Sequence, residues 1–147
     1  MSAADDWDFP GPHVITLDVL PSDIDAYRHV NNAVYLSWFD RAAWTHSAAL
    51  GVPIDESLKL RRGMAAVRCE VDYVRAAMSG DRVEVGTWIV ASDRRLRVER
   101  RFQVRRAPGS ETLARALTAY ACINLDTGRA TRMPPLFSQC YQVTLMR

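Results

Sequence analysis

A chain of 147 residues suits one domain with enough length to bury a real core. Its hydrophobic fraction of 48% and charged fraction of 24% lie near the average for soluble globular proteins. A formal net charge of +2 is too small to imply a nucleic-acid or membrane partner.

The opening "MSAADDWDFPGPH" is acidic and lacks an apolar core, so it does not read as a secretory signal. Residues 1–11 read as a flexible arm closed by "PGP", which leaves 12–147 as a single domain. No apolar run approaches the roughly 20 residues needed to span a bilayer. Cys69, Cys122 and Cys140 are odd in number and widely spaced, fitting neither a disulfide framework nor a zinc site. Cys69 and Cys122 each sit in a strand-like run, so buried, reduced thiols and a cytoplasmic protein are expected.

"HVITLDVL" (His13 to Leu20) is β-rich and partly alternating, and Pro21 ends it. Asn31 or Asn32 is a good N-cap for a helix from about Ala33 to Leu50, with Gly51 and Pro53 as stop signals. Apolar residues, among them Leu36 and Trp44, spread over most of this helix. Only Ser37, Asp40, Arg41 and Thr45 make a narrow polar stripe, so the helix is expected to be wrapped by other structure.

A charged loop (Ile54 to Gly63) precedes four strand-like runs near Met64–Ala76, Arg82–Ala91, Arg95–Arg106 and Thr112–Leu125. The links "MSGD", "SDR" and "APGSE" are short, which predicts antiparallel hairpin neighbours. In the third run Leu96, Val98, Phe102 and Val104 alternate with Arg97, Glu99, Arg101, Gln103 and Arg105, predicting one wet face. "LDTGRATRMP" makes one more turn before a short strand or tail. The predicted fold class is α+β, a curved antiparallel sheet around one long central helix. Two exposed sheet edges predict at least a homodimer, in which pairing across a two-fold axis removes one edge.

The most informative stretch is "SDIDAYRHVNNAVYL" (Ser22 to Leu36), where Asp, His and Asn crowd before an apolar helix. "DIDAYRHVNNAVYLSWFDRA" resembles the D-x-D-x-x-G-H-V-N-N-x-x-Y signature of hotdog-fold acyl-CoA thioesterases of the 4-hydroxybenzoyl-CoA thioesterase type. "RCEVDYVRAAMSGDRVEVGTWI" resembles that family's second-to-third-strand hairpin, and "LARALTAYACINLDTGRATRMP" its final strands.

The resemblance implies dimers that share a continuous sheet, as a dimer or a dimer of dimers, with two sites at the subunit interface. It implies hydrolysis of an acyl-CoA to a carboxylic acid and CoA without metal or organic cofactor. It also implies that Asp25 is the catalytic carboxylate and that His29 takes part in catalysis. One departure stands out: Arg28 occupies the place of a glycine. If that glycine serves a positive φ, the loop geometry must differ here.

The chemistry can be argued from the residues as well. Thioester hydrolysis needs a nucleophile or a base for water, and a group that stabilises the oxyanion. A helix N-terminus supplies free N–H groups and partial positive charge. The terminus at Asn32 and Ala33 would hold the thioester carbonyl, with Asp25 in a folded-back loop facing it. The carboxylate can attack the carbonyl or act as general base. His29 can relay a proton or orient the carboxylate.

The bland reading makes the same stretch a cap and a turn, with Asp23, Asn31 and Asn32 structural and His13 and His46 incidental. Arg94 and Arg95, at a hairpin turn, would meet CoA phosphates, although charge on an outer strand is commonly a solvated face. No G-x-S-x-G, H-E-x-x-H, Walker or G-x-G-x-x-G motif is present, so serine, zinc and nucleotide chemistries lack support. The alternatives to a thioesterase are a non-catalytic hotdog protein binding acyl-CoA or acyl carrier protein, and a hotdog dehydratase.

Overall fold

Asn31 caps the long helix as expected, its Oδ1 accepting the Ala33 N–H at 2.9 Å. Gly51 ends that helix in the left-handed region (φ 108), donating its N–H to Ala48 and Ser47. The computed structural model describes residues 7–144. It runs β1 (His13–Asp18), α1 (Asn32–Leu50), α2 (Ile54–Leu60), β2 (Arg62–Tyr73), β3 (Arg82–Ser92), β4 (Arg97–Ala107), β5 (Thr112–Asn124) and α3 (Pro135–Cys140). The five strands form one antiparallel sheet in the order β1-β3-β4-β5-β2, curved about α1. Among the described residues no helix is long and apolar enough to cross a membrane.

This order corrects one expectation. β2 and β3 are not a hairpin: β2 pairs with β5 and β3 lies between β1 and β4. The link between them crosses the N-terminal end of α1, where the Val30 N–H donates to Ala77 O at 2.9 Å. The Ala77 N–H donates to the Tyr35 hydroxyl at 3.0 Å. A short link with turn residues looks the same whether the chain reverses beside itself or crosses a helix end.

The core lies between α1 and the sheet. Tyr35, Trp38, Phe39, Ala42 and Ala43 pack on Val83, Val85, Phe102, Val104 and Ala116. Phe39 and Phe102 have ring centroids 4.9 Å apart. Each of the valines and phenylalanines in this core contributes about 1.5–3 kcal/mol by leaving water. The helix is wrapped on one side only: Leu36 and Trp44 stay 46% and 49% exposed. A second cluster of Val52, Ile89, Val98, Cys122, Met133, Phe137 and Tyr141 closes the other end of the sheet.

That cluster depends on α3, which stands where a short strand or tail was expected, and α2 occupies the expected charged loop. Both helices are too short to display a helical period in sequence.

The outer face of β4 is not wet throughout. Gln103 and Arg105 are buried beneath residues 7–10, and Arg105 lies 3.9 Å from the Trp7 ring while pairing with Glu84 at 2.7 Å. Trp7 and Phe9 meet Trp88 edge-on, and Trp88 Nε1 donates to Pro10 O at 3.0 Å. Gly86 leaves room for this layer, since a Cβ there would stand 2.7 Å from the Trp7 ring. Residues 1–6 of the N-terminal arm and 145–147 lie outside the described residues.

Cys122 is buried as expected, but Cys69 is exposed because β2 is an edge strand. Burial there depends on what neighbours a strand, which its own composition does not state.

Candidate active site

The Asp-rich stretch folds as a small hairpin before α1. Ile24 and Val30 form a bridge, the Asp25 N–H donates to His29 O at 2.9 Å, and the Arg28 N–H donates to Asp25 O at 2.9 Å. The loop Ala26-Tyr27-Arg28 is therefore a tight turn whose last residue must be left-handed, the place where glycine is usual. Arg28 takes that conformation, with φ 63. The arginine itself accepts the left-handed backbone that a glycine would take without strain.

A left-handed L-residue costs about 1–2 kcal/mol, and the entropy of glycine returns part of this. Arg28→Gly is thus expected to raise unfolding stability by about 0.5–1 kcal/mol in urea denaturation. A destabilised Arg28→Gly protein would show that contacts of the arginine side chain outweigh the strain.

Asp25 sits at the first position of this turn, half-buried, with Oδ1 accepting the Tyr27 N–H at 2.9 Å. Among the described residues Oδ2 takes no hydrogen bond. Asp23 is a turn residue: Oδ2 accepts the Leu20 N–H at 2.8 Å, and its carbonyl accepts the Asn31 N–H at 2.8 Å. His29 is exposed and bridges to Met78 through its backbone. With Asn32, Tyr35, Tyr73 and Val74 it lines a cleft of ≈ 160 Å³ at the N-terminus of α1.

Tyr73 donates its hydroxyl to Asn32 O at 2.9 Å and meets Tyr35 edge-on, fixing that terminus against β2. Burial raises the pKa of both phenols, so they stay neutral donors. The Ala33 amide is already taken by the Asn31 cap, leaving the Asn32 amide for a carbonyl oxygen. The two tyrosines went unnamed as site residues in sequence, because aromatic residues there read as core.

His29 and Asn32 thus share the cleft at the N-terminus of α1, where Ala33 also lies, and Asp25 stands opposite His29 in the hairpin that leads into it. Arg94 and Arg95 are not gathered with them in one chain. They occupy the β3–β4 turn, where Asp93 Oδ1 accepts the N–H groups of Arg95, Leu96 and Arg97. Those three bonds hold the Asp93 carboxyl below its ordinary value. The start of β3 lies beside the motif, since the Val19 N–H donates to Asp81 O. The turn lies at the other end of that strand, roughly 30 Å away at ~3.3 Å per residue.

A second and larger cavity of ≈ 230 Å³ opens between α1, α2 and the β2–β5 side of the sheet. Its wall is mostly apolar and includes Ala43, Trp44, Met64, Val98 and Ile123. Trp44 and Met64 therefore line a pocket.

Arg100 reaches this cavity from β4 and is only 3% exposed. Its Nη1 donates to His46 Nδ1 at 2.6 Å and its Nη2 to Ser47 Oγ at 2.9 Å. The Tyr141 hydroxyl also donates to Ser47 Oγ, at 3.1 Å. His46 stacks on His13 with centroids 4.9 Å apart, so neither histidine is incidental. Sequence alone did contain a signal here. Val98, Phe102 and Val104 share one face of β4, and Arg100 falls on that same apolar face.

Residues 19–139 match the family model described as the thioesterase-like superfamily. Among curated proteins none matches the chain significantly. Among solved structures, a 1,4-dihydroxy-2-naphthoyl-CoA thioesterase from Synechocystis superposes with a TM-score of 0.78 at 20% identity, over 89% of this chain and 96% of that one. A DHNA-CoA thioesterase from Staphylococcus aureus superposes with a TM-score of 0.77 at 21% identity, over 82% of this chain and 80% of that one. A hypothetical protein from Staphylococcus aureus, solved in complex with CoA, superposes with a TM-score of 0.80 at 20% identity, over 88% and 80%. Likeness at these identities shows the fold. With the family match spanning most of its length, the chain belongs to the thioesterase-like superfamily and has the hotdog fold.

Proposed function

We propose that this protein is a cytoplasmic acyl-CoA thioesterase that hydrolyses an acyl-CoA to the free carboxylic acid and CoA, with Asp25 as nucleophile or general base. The observation that carries this reading is the Asp25-bearing hairpin that leads directly into α1, in a chain of this superfamily. Two structural neighbours named as thioesterases, and a third solved with CoA, add support for acyl-CoA as the substrate class.

In the nucleophilic route Asp25 Oδ2 attacks the thioester carbon, and the C–S bond breaks to release the CoA thiolate, which takes a proton. Water then cleaves the acyl–aspartyl anhydride. In the general-base route Asp25 takes a proton from water as the water oxygen attacks, and the same C–S bond breaks. In both, the Asn32 amide and the positive helix end stabilise the developing oxyanion. His29, at the lip of the cleft, orients the carboxylate or returns the proton to the thiolate.

The working unit is proposed to be at least a dimer, built by pairing β2 with its copy. β2 is an edge, and its exposed surface includes Val67 and Tyr73, 53% and 43% exposed. A two-fold axis through β2 runs the two copies antiparallel. It therefore brings the N-terminal end of one α1, held at Tyr73, beside the partner's larger cavity at Gly63 and Met64.

Release of free thiol from a panel of acyl-CoAs, followed with a colorimetric reagent, is expected for at least one member. Acyl-CoA binding without thiol release from any member would make the protein a carrier instead. Sedimentation is expected to give a dimer or larger, and a fully active monomer at assay concentration would remove the shared site.

A further inference from the structure

We infer that the larger cavity is a receptor for the acyl group and that Arg100 at its base selects acyl groups ending in a carboxylate. This deepens the thioesterase reading and rests on it for the rest of the ligand.

Arg100 carries a charge that its hydrogen-bond partners do not balance. A guanidinium stays protonated in proteins, and burying it without an anion costs several kcal/mol. Arg100 is almost wholly buried, yet its hydrogen-bond partners are His46 and Ser47, and the ring beside it is Tyr141, at 6.0 Å. All three are neutral. His46 accepts at Nδ1, and burial with the adjacent guanidinium holds its pKa at about 3. Tyr120, also on the cavity wall, is pushed by burial to about 12 and is neutral too. Among the described residues no carboxylate pairs with Arg100. Asp40 also lines the cavity, two turns before Ser47 on α1, but makes no ion pair or hydrogen bond with Arg100. A mostly apolar pocket thus carries a buried positive charge to which, among the described residues, no carboxylate is hydrogen-bonded.

A purely structural arginine needs no cavity in front of it. This one stands on the wall of a space of ≈ 230 Å³, about eight waters at ~30 Å³ each. That room suits a short chain or a single ring. Apolar walls take the carbon skeleton, and a terminal carboxylate reaching Arg100 supplies the missing anion through a charge-assisted bond. Tyr120 offers a further neutral hydroxyl on the same wall.

The test uses matched ligands. Calorimetry on the full chain would compare the non-hydrolysable carboxypentyl and hexyl thioethers of CoA, and kinetics would compare adipyl-CoA with hexanoyl-CoA. The carboxylate-bearing thioether is expected to bind about tenfold more tightly or better, as a buried charge-assisted bond allows. Arg100→Gln is expected to abolish or reverse this preference, which is a ratio within one protein and so insensitive to the active fraction. Equal or weaker binding of the carboxylate form by the wild type overturns the inference, whatever the variant does, and so does failure to bind either thioether. A clear carboxylate preference without hydrolysis of either thioester keeps the receptor and overturns the thioesterase reading. Hydrolysis of hexanoyl-CoA in preference to adipyl-CoA does the opposite.

Discussion

Asp25→Asn is expected to lower turnover on the best acyl-CoA at least about a hundredfold, a loss on the order of 3 kcal/mol in transition-state stabilisation. The variant isolates charge from shape. Oδ1 of Asp25 accepts the Tyr27 N–H, and an asparagine carbonyl makes the same bond, so the turn and the fold persist. What is lost is the anionic oxygen that must attack the thioester or deprotonate water. The KM should change little, because binding rests on the pocket and the CoA contacts. His29→Gln should cost less, since it removes an orienting or relaying group, and Asp23→Asn less again, because Asp23 accepts a backbone N–H in a turn. Wild-type turnover in Asp25→Asn, with an intact thermal transition, would reduce the hairpin to a helix-entry turn.

The second large effect concerns acid. His46 is buried and accepts from Arg100, so its proton sits on Nε2 and the ring is neutral. Burial first, then Arg100, then His13 lower its pKa from 6.5 to about 3. His13, stacked on it, is shifted in the same direction by burial and by Arg100. The unfolded chain therefore takes up a proton near pH 6.5 that the folded chain refuses.

The stabilisation is fully present above that value and is lost as pH falls toward 3, by about 1.4 kcal/mol per pH unit for one group. Denaturant unfolding at pH 7 and pH 5 is expected to differ by about 2 kcal/mol from His46 alone. His46→Asn keeps an acceptor near the Nδ1 position and should remove most of that difference. An unchanged pH dependence in His46→Asn would show that the acid sensitivity lies elsewhere.

The long helix and the strand runs were legible because they extend over many residues between clear stop signals, and α1 begins one residue from its expected start. The hairpin that holds Asp25 was legible as a motif, down to the position where a left-handed residue belongs. The two short helices were not, because six or seven residues carry less than two periods.

Strand order was not legible either. Each strand records which of its faces is apolar, but not which edge its neighbour occupies, so β2 was placed beside β3 in place of β5. The same reason explains the burial of Gln103 and Arg105. Their alternation with apolar residues is that of a solvated face, and only the path of Trp7 to Pro10 across the sheet covers them.

Chain length, helix, strand faces and the Asp25 turn follow from local patterns that each segment carries in itself, and these the sequence by itself determined. The tertiary structure alone decided which charges are near one another. It set Arg94 and Arg95 at the far end of the sheet from Asp25, and it set Arg100 of β4 against His46 and Ser47 of α1. Coulomb energy and desolvation depend on separation in space and on burial, and neither is a property of neighbours along the chain.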